Sequence, residues 1–249
     1  LPVSINAVGY GAFSGCQSLK KITINGKGSY KTADGILYTS DGKQLLCYPA
    51  GKEETEFTVP DKVQIIGTAA FYNAKTLEKV TFSNKLIRIS DYAFYGCDML
   101  NTMDLPDSLE WIGAYAFKPL FGTQTLQSVY IGPQLAYIGE CAWGDDAIMS
   151  FDVSETNEHF KSDGAMLLDK SGTVLLRLGF AEEGKALVIP EGIATIMYGA
   201  LNNNCNYTAL DLPDSLITLD YQHYPESLTK IKVGAHLIRM DTVRIDDTV

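Results

Sequence analysis

The sequence has few of the groups on which catalysis and metal binding usually depend. Its 249 residues include only three histidines, His159, His223 and His236, which lie far apart along the chain. No Ser/His/Asp or Cys/His pattern is present that would activate a nucleophile. The Asp-Gly turns lack the spacing and the closing Glu of an EF-hand loop. We therefore expect a protein that is not an enzyme and that has no metal site and no cofactor.

Basic residues and long apolar runs are scarce as well. Lys and Arg number 20 against 30 Asp and Glu, which leaves a net charge of −10. Nucleic-acid binding needs a cationic face, and because none is visible we exclude nucleic acid as a partner. No segment approaches the roughly 20 apolar residues of a membrane-spanning helix, so we expect no membrane insertion by this segment. The start at Leu1, without Met, indicates a processed or trimmed fragment.

One pattern recurs along the chain. A large apolar residue follows an aliphatic anchor by five positions, and the steps between successive large residues are 58, 23, 23, 26, 58 and 23 residues. A repeat near 23 residues is typical of a solenoid, in which each coil buries its apolar face against its neighbours. The pairs are Val8/Phe13, Ile66/Phe71, Ile89/Phe94, Ile112/Phe117, Ile138/Trp143, Ile196/Leu201 and Leu219/Tyr224.

Each coil predicts short strands joined by tight crossings. Aliphatic residues with period two follow the aromatic, as in Val80 and Phe82, which indicates a strand with alternate residues facing inward. The Ala-aromatic step favours a short helical or turn-like crossing. We expect the rings of Phe13, Phe71, Phe94, Phe117 and Trp143 to stack into one core column.

The two long steps contain inserts. Each step of 58 residues exceeds the repeat by 35 residues, and in each insert two apolar runs flank a polar turn that contains Gly. This pattern predicts β-hairpins, at about residues 33–50 and 163–179, that project from the solenoid. The chain is thus built from two similar blocks, which begin near residues 1 and 132.

Particular segments resemble a known family. Ile112-Gly113-Ala114-Tyr115-Ala116-Phe117 and the segment Ile89–Cys97 are similar to the I-G-x-x-A-F-x-G-C core of the BspA-like leucine-rich repeats. The resemblance covers nearly the whole chain. It implies a β-rich repeat solenoid, a right-handed leucine-rich repeat stack with short strands, short helical or turn crossings and two β-hairpin inserts. We interpret residues 1–249 as a single such solenoid with partial coils at both ends.

The resemblance also implies a location and a kind of partner. Members of this family are mostly secreted or surface-attached in bacteria and some protozoa, and they resemble adhesins. It therefore implies a secreted or cell-surface bacterial protein. The implied partner is a protein of the host extracellular matrix or of a neighbouring cell surface.

The cysteines do not predict a disulfide framework. Cys16 and Cys97 occupy equivalent positions in the first and third coils, three residues after the aromatic. Stacked strands about 4.8 Å apart would separate their backbones by roughly 10 Å, whereas a disulfide needs Cα atoms within about 7 Å. Cys47, Cys141 and Cys205 have no obvious partner. We predict that all five cysteines are reduced and mostly buried.

The first candidate binding surface is a row, or file, of equivalent positions on successive coils, each directly before an aliphatic anchor. Ile65, Arg88, Trp111 and Tyr137 take this outward position on four consecutive coils. Aromatic residues and Arg are common anchors of protein interfaces, and aromatic platforms also stack on sugars. The alternative interpretation is that Trp111 and Tyr137 pack against a loop or simply cover the coil.

A second file lies on the strand that ends each coil. Asp104, Tyr130 and Asp152 are its candidate ligand-binding residues. Two carboxylates on nearby coils could in principle support glycoside hydrolysis, but Tyr130 between them favours a recognition surface. The predicted function is a non-catalytic module for protein recognition or adhesion. A glycan-binding module is the alternative, and a hydrolase is a distant third.

Overall fold

The computed structural model describes residues 1–101, 104–119, 126–144, 148–179, 184–202 and 207–241. The chain forms a β-solenoid of about eight turns, as the repeat predicted. Of the helical or turn-like crossings that were expected, the described residues contain turns and no helix. The physical reason is a left-handed residue two positions before the core aromatic, such as Tyr92 with φ 57° and Tyr115 with φ 54°, which interrupts any right-handed helical run.

The strands are short, and many have only two residues. They are β1 (Tyr30–Ala33), β2 (Ile36–Thr39), β3 (Gln44–Cys47), β4 (Glu56–Thr58), β5 (Ile65–Ile66), β6 (Lys79–Thr81), β7 (Arg88–Ile89), β8 (Trp111–Ile112), β9 (Leu126–Ile131), β10 (Tyr137–Ile138), β11 (Ile148–Val153), β12 (Phe160–Ser162), β13 (Met166–Asp169), β14 (Val174–Leu178), β15 (Ala186–Val188), β16 (Thr195–Ile196), β17 (Ala209–Asp211), β18 (Thr218–Leu219), β19 (Lys230–Lys232) and β20 (Arg239–Met240).

Successive coils pair in parallel along two series of strands. One series contains the aliphatic anchors, in the orders β3-β5-β7-β8-β10 and β14-β16-β18-β20. The other contains the strands after each crossing, paired as β4-β6, β9-β11 and β15-β17-β19. Because strand residues alternate in direction, each anchor faces the core and the residue before it faces outward.

The two inserts are part of the stack instead of projecting from it. In the first insert β1, β2 and β3 are antiparallel, and β3 then pairs in parallel with β5, Leu45 opposite Ile66. In the second insert β14 pairs in the same way with β16, Leu175 opposite Ile196. The last strand of each insert therefore supplies an extra layer, which the hairpin pattern alone did not predict.

The core column is confirmed for three of the five predicted rings. Phe71 stacks on Phe94 at 4.6 Å between ring centroids, and Phe94 stacks on Phe117 at 5.2 Å. Tyr48 from the first insert stacks on the other side of Phe71, at 4.9 Å. Trp143 is buried and meets Phe151 edge-on.

Phe13 does not join the column. It is half-buried and packs in a separate small cluster around Ile22, Leu37 and Cys47. Because Tyr48 occupies the layer next to Phe71, the first coil lies one layer further out.

Two of the four described cysteines are buried and two are not. Cys47 and Cys97 are buried, Cys141 is half-buried and Cys16 is exposed, while Cys205 lies outside the described residues. The Cys97 thiol donates a hydrogen bond to the Phe71 carbonyl at 3.1 Å. Burial raises the pKa of the Cys47 thiol and that of the Cys97 thiol to about 12.

These environments predict a sequence of thiol reactivity. The thiolate is the reactive form, so a thiol reagent at about pH 8 should label Cys16 first and leave Cys47 and Cys97 unmodified until the protein unfolds. Denatured protein without reductant should give five reactive thiols, since the chain contains five cysteines. Peptide mass mapping would identify the labelled sites. Rapid labelling of native Cys97, or three or fewer thiols after denaturation, would contradict this prediction.

Candidate binding surfaces

The first predicted file forms one continuous strip on the outer side of the anchor strands. We call Ile65, Arg88, Trp111 and Tyr137 the aromatic strip. Strands β5, β7, β8 and β10 place these residues directly opposite one another, Ile65 beside Arg88, Arg88 beside Trp111 and Trp111 beside Tyr137. The one-residue offset from the buried anchors is what turns all four side chains outward.

Three members of the strip are stacked on each other. The Arg88 guanidinium carbon lies 4.6 Å from the centroid of the Trp111 ring. The Tyr137 ring stacks on the indole at 3.6 Å with an interplanar angle of 16°. Since β7 and β10 lie on opposite sides of β8, Arg88 and Tyr137 cover opposite faces of the indole. The cation–π contact and the ring stack each contribute about 0.5–1.5 kcal/mol.

The indole is held by its faces and not by its N–H. Trp111 is half-buried, and its Nε1 is enclosed with no hydrogen-bond acceptor among the described residues. Tyr137 is 41% exposed and Arg88 is exposed. Arg88 forms no ion pair with another described residue, so its N–H donors remain available to a ligand.

The strip ends at Tyr137, on the first coil of the second block. In the rest of the second block the same register is occupied by Val174, Thr195, Thr218 and Arg239. Thr195 and Thr218 are small, and Arg239 is engaged by the Asp241 carboxylate at 2.8 Å. The two blocks share a backbone pattern, and so the aromatic residues are a local feature and not a requirement of the fold.

The second predicted file is brought together only in part. Tyr130 on β9 and Asp152 on β11 are direct neighbours in the parallel pair. The Tyr130 hydroxyl donates to Asp107 Oδ1 at 2.9 Å, and this hydrogen bond is the main cause that raises the pKa of Tyr130. Asp104 is exposed and lines, with Asp107, an open groove of about 620 Å³ that neither Tyr130 nor Asp152 reaches. The three residues therefore do not share one pocket.

A third surface was not predicted from the sequence. Six tyrosines on the crossings, which we call the tyrosine face, contact one another from coil to coil. They are Tyr72, Tyr92, Tyr95, Tyr115, Tyr198 and Tyr221. A signal was present in the sequence, because tyrosines recur just before and just after the core aromatic. Those positions were assigned to the crossing and not to a surface.

Other kinds of site find little support. Within the described ranges no three His, Cys, Asp or Glu side chains gather closely enough to hold a metal ion. The same ranges contain no helix of sufficient length and apolarity to cross a bilayer.

The stacked parallel coils, the buried aromatic column and the repeated Ala-aromatic crossings define a leucine-rich repeat solenoid. BspA type leucine rich repeat regions match this chain in six copies, over residues 1–38 and 48–164. The match covers more than half of the chain, and the chain belongs to this family. The resemblance of the I-G-x-x-A-F-x-G-C segments is thereby confirmed.

Solved structures show the same fold. The pneumococcal vaccine antigen PcpA is 20% identical with a TM-score of 0.59, over 95% of this chain and 64% of that one. A leucine rich cell surface protein from Faecalibacterium prausnitzii A2-165 is 18% identical with a TM-score of 0.51, over 95% of this chain and 60% of that one. The chain thus spans less than two thirds of the length of these relatives. A comparison with curated proteins finds no match.

Proposed function

We propose that this chain is a non-catalytic recognition module that binds a protein partner through the aromatic strip, outside a bacterial cell or on its surface. The observation that carries the proposal is the stack of Arg88, Trp111 and Tyr137 on the outer side of consecutive coils. Large exposed groups in a contiguous patch tend to mark interaction sites. Trp, Tyr and Arg are also the residues that most often dominate binding energy.

The stack favours a protein over a glycan as the ligand. A sugar ring binds by lying on the face of an aromatic ring, but both faces of the Trp111 indole are covered, by Arg88 and by Tyr137. A protein partner can instead use the edges of the rings, the Ile65 side chain and the Arg88 donors. The partner we propose is a protein of the host extracellular matrix or of a neighbouring cell surface.

Other observations support the location and the absence of catalysis. Membership in the BspA-type family and the likeness of fold to a cell surface protein support a surface or secreted location. A glycoside hydrolase needs a sheltered carboxyl group with a raised pKa, whereas Asp104 and Asp152 are both exposed. A hydrolase is therefore disfavoured, and a glycan-binding module remains the second candidate.

The proposal predicts a loss of binding from two substitutions. The chain would be tested against purified extracellular-matrix proteins and, in parallel, a glycan array. For a protein that binds, Trp111→Ala combined with Tyr137→Ala should weaken affinity by about 30-fold or more, because both rings are lost from the centre of the contact. Surface plasmon resonance would measure the change, and circular dichroism would confirm that the variant is folded.

The second block offers a matched control. Thr195 and Thr218 hold the same register on β16 and β18, so Thr195→Ala combined with Thr218→Ala should leave affinity unchanged. Equal affinities for the aromatic variant and the native chain would show that the strip is not the binding surface. Binding to glycans alone, lost in the aromatic variant, would select the second candidate.

A further inference from the structure

We propose that the tyrosine face is a site of oxidative modification, at which tyrosines of adjacent coils are joined by carbon–carbon bonds to form dityrosine and so fasten one coil to the next. The oxidant is hydrogen peroxide acting through a haem peroxidase. The tyrosine face shares no residue with the aromatic strip, so this modification does not depend on the function proposed above.

Three stacked tyrosine pairs recur on the face, and the two members of each pair lie 23 residues apart, which is one coil. The ring centroids are 5.1, 5.3 and 5.6 Å apart, and the interplanar angles are 14°, 13° and 22°. The pairs are Tyr72 with Tyr95, Tyr92 with Tyr115 and Tyr198 with Tyr221. A bond within any pair would therefore connect two neighbouring coils.

Coupling of a pair is a two-electron oxidation. The peroxidase removes one electron and one proton from each hydroxyl group, which leaves a phenoxyl radical on each ring. The two radicals join at the ring carbons next to the hydroxyl groups, Cε to Cε, and the hydrogen on each of these carbons moves to the oxygen. Two phenols are thus restored with one new carbon–carbon bond. Hydrogen peroxide accepts the two electrons and two protons and gives two molecules of water.

The stacked tyrosines lie where an oxidant can act on them and where their rings can turn. Tyr92 is 40% exposed, and Tyr72, Tyr95 and Tyr115 are half-buried. Tyr92 also meets Tyr95 at 5.6 Å, which connects the first two pairs into one series of four rings. Side chains at a surface change rotamer within nanoseconds, so ring carbons of two stacked tyrosines can come into contact without movement of the coils. The Tyr48 ring, 2% exposed in the core column, has no such freedom.

Proximity favours coupling within one molecule over coupling between molecules. Groups held in contact react as though their concentration were far above that of a second molecule in dilute solution. Tyr10 is the contrasting case, because it is 85% exposed and has no ring contact with another described residue. A radical on Tyr10 therefore couples between molecules, whereas radicals on Tyr72 and Tyr95 couple with each other.

The bond would fasten coils that are otherwise held by noncovalent contacts. Cys16, Cys47, Cys97 and Cys141 are free, so no disulfide joins two coils within the described ranges. Each coil of a solenoid is stabilised chiefly by its neighbours, and a covalent link between coils reduces the conformational entropy of the unfolded chain. The modification therefore makes the stack harder to unfold.

The experiment treats the 249-residue chain, at micromolar concentration, with a haem peroxidase and a limited amount of hydrogen peroxide. Dityrosine fluorescence would report the reaction, and mass spectrometry of a tryptic digest would locate it. Because trypsin cleaves at Lys75 and Arg88, Tyr72 and Tyr95 lie in separate peptides unless they are linked. The expected product is a monomer in which these two peptides are joined. Its thermal unfolding midpoint should rise by about 5 °C or more.

Matched variants test the assignment to this pair. Tyr95→Phe keeps the ring stack but cannot form a phenoxyl radical, so the yield of the two joined peptides should fall by about tenfold or more, and the midpoint should rise less. Tyr10→Phe is the control and should give the native yield. Native chain treated after unfolding in urea should give about tenfold less of the joined peptides, because folding no longer holds the rings in contact.

The proposal is overturned if no dityrosine forms in the folded chain, if dimers linked through Tyr10 are the main product, or if Tyr95→Phe keeps the native yield of joined peptides. It is also overturned if the unfolded chain gives as much of them as the folded chain, or if the linked chain unfolds at the midpoint of the untreated one.

Discussion

Phe94→Ala should lower the free energy of unfolding by about 3–5 kcal/mol. The Phe94 side chain is 1% exposed and lies between Phe71, at 4.6 Å, and Phe117, at 5.2 Å. Phe82 meets it edge-on at 5.9 Å. In a solenoid each layer is stabilised chiefly by its two neighbours, so a cavity in a middle layer weakens two interfaces at once.

Equilibrium denaturation in urea or guanidinium would measure this loss. The matched control is Tyr10→Ala, which also removes an aromatic ring but at a side chain that is 85% exposed, and it should change stability by less than about 0.5 kcal/mol. Similar losses in the two variants would mean that the ring column does not stabilise the stack.

The core column shows which parts of this fold are predictable. Phe71, Phe94 and Phe117 each meet the same surroundings one coil apart, so a fixed interval of 23 residues predicts their stacking. Tyr48 was not predicted as a member because it follows its inward strand residue, Leu45, by three positions, whereas Phe71 follows Ile66 by five. In the insert, a crossing with fewer residues between strand and ring brings Tyr48 into the core column. Spacing alone could therefore not identify it.

For the aromatic strip, the sequence predicted which side of the sheet the side chains occupy but not the contacts between those side chains. Alternation along a strand determines that Arg88, Trp111 and Tyr137 leave the same side of the sheet. It does not determine their rotamers, and the closure of the three into one stack depends on the rotamers. From the strand register alone, the rings were interpreted as a possible stacking platform for sugars. That interpretation is weakened because both faces of the indole are covered.

The tyrosine face escaped prediction for a reason of backbone geometry. Periodicity arguments assume that φ stays in the strand or right-handed helical range, and one residue with positive φ changes the direction of its side chain. Tyr92 and Tyr115 are such residues. The sequence pattern assigned these positions to the crossing, whereas the rings join neighbouring rings on the surface.

Asn157 illustrates a further limit, since nothing distinguishes it in the polar segment Glu155–His159. Its side chain is 1% exposed, and its amide connects two parts of the structure. Nδ2 donates to the carbonyls of Gly132 and Leu135 at 2.7 and 2.9 Å. Oδ1 accepts from the backbone N–H groups of His159 and Phe160 at 2.8 and 2.7 Å. The amide thus joins a turn of the fifth coil to the first strand of the second insert.

Asn157→Ala should therefore lower the free energy of unfolding by about 3–4 kcal/mol, because it leaves several enclosed backbone groups without a hydrogen-bond partner. Each unpaired group costs about 1–3 kcal/mol, and the costs of neighbouring groups are only partly additive. Asn84→Ala is the control, since Asn84 is exposed and its loss should change stability by less than about 0.5 kcal/mol. Hydrogen exchange would locate the effect, with faster exchange at the amides of His159 and Phe160 than elsewhere in the stack. The prediction is contradicted if these two amides exchange in the variant at the rates of the native chain, or if the two variants lose equal stability. Either result would show that solvent replaces the Asn157 side chain without penalty and that the second insert is anchored by its strand pairing alone.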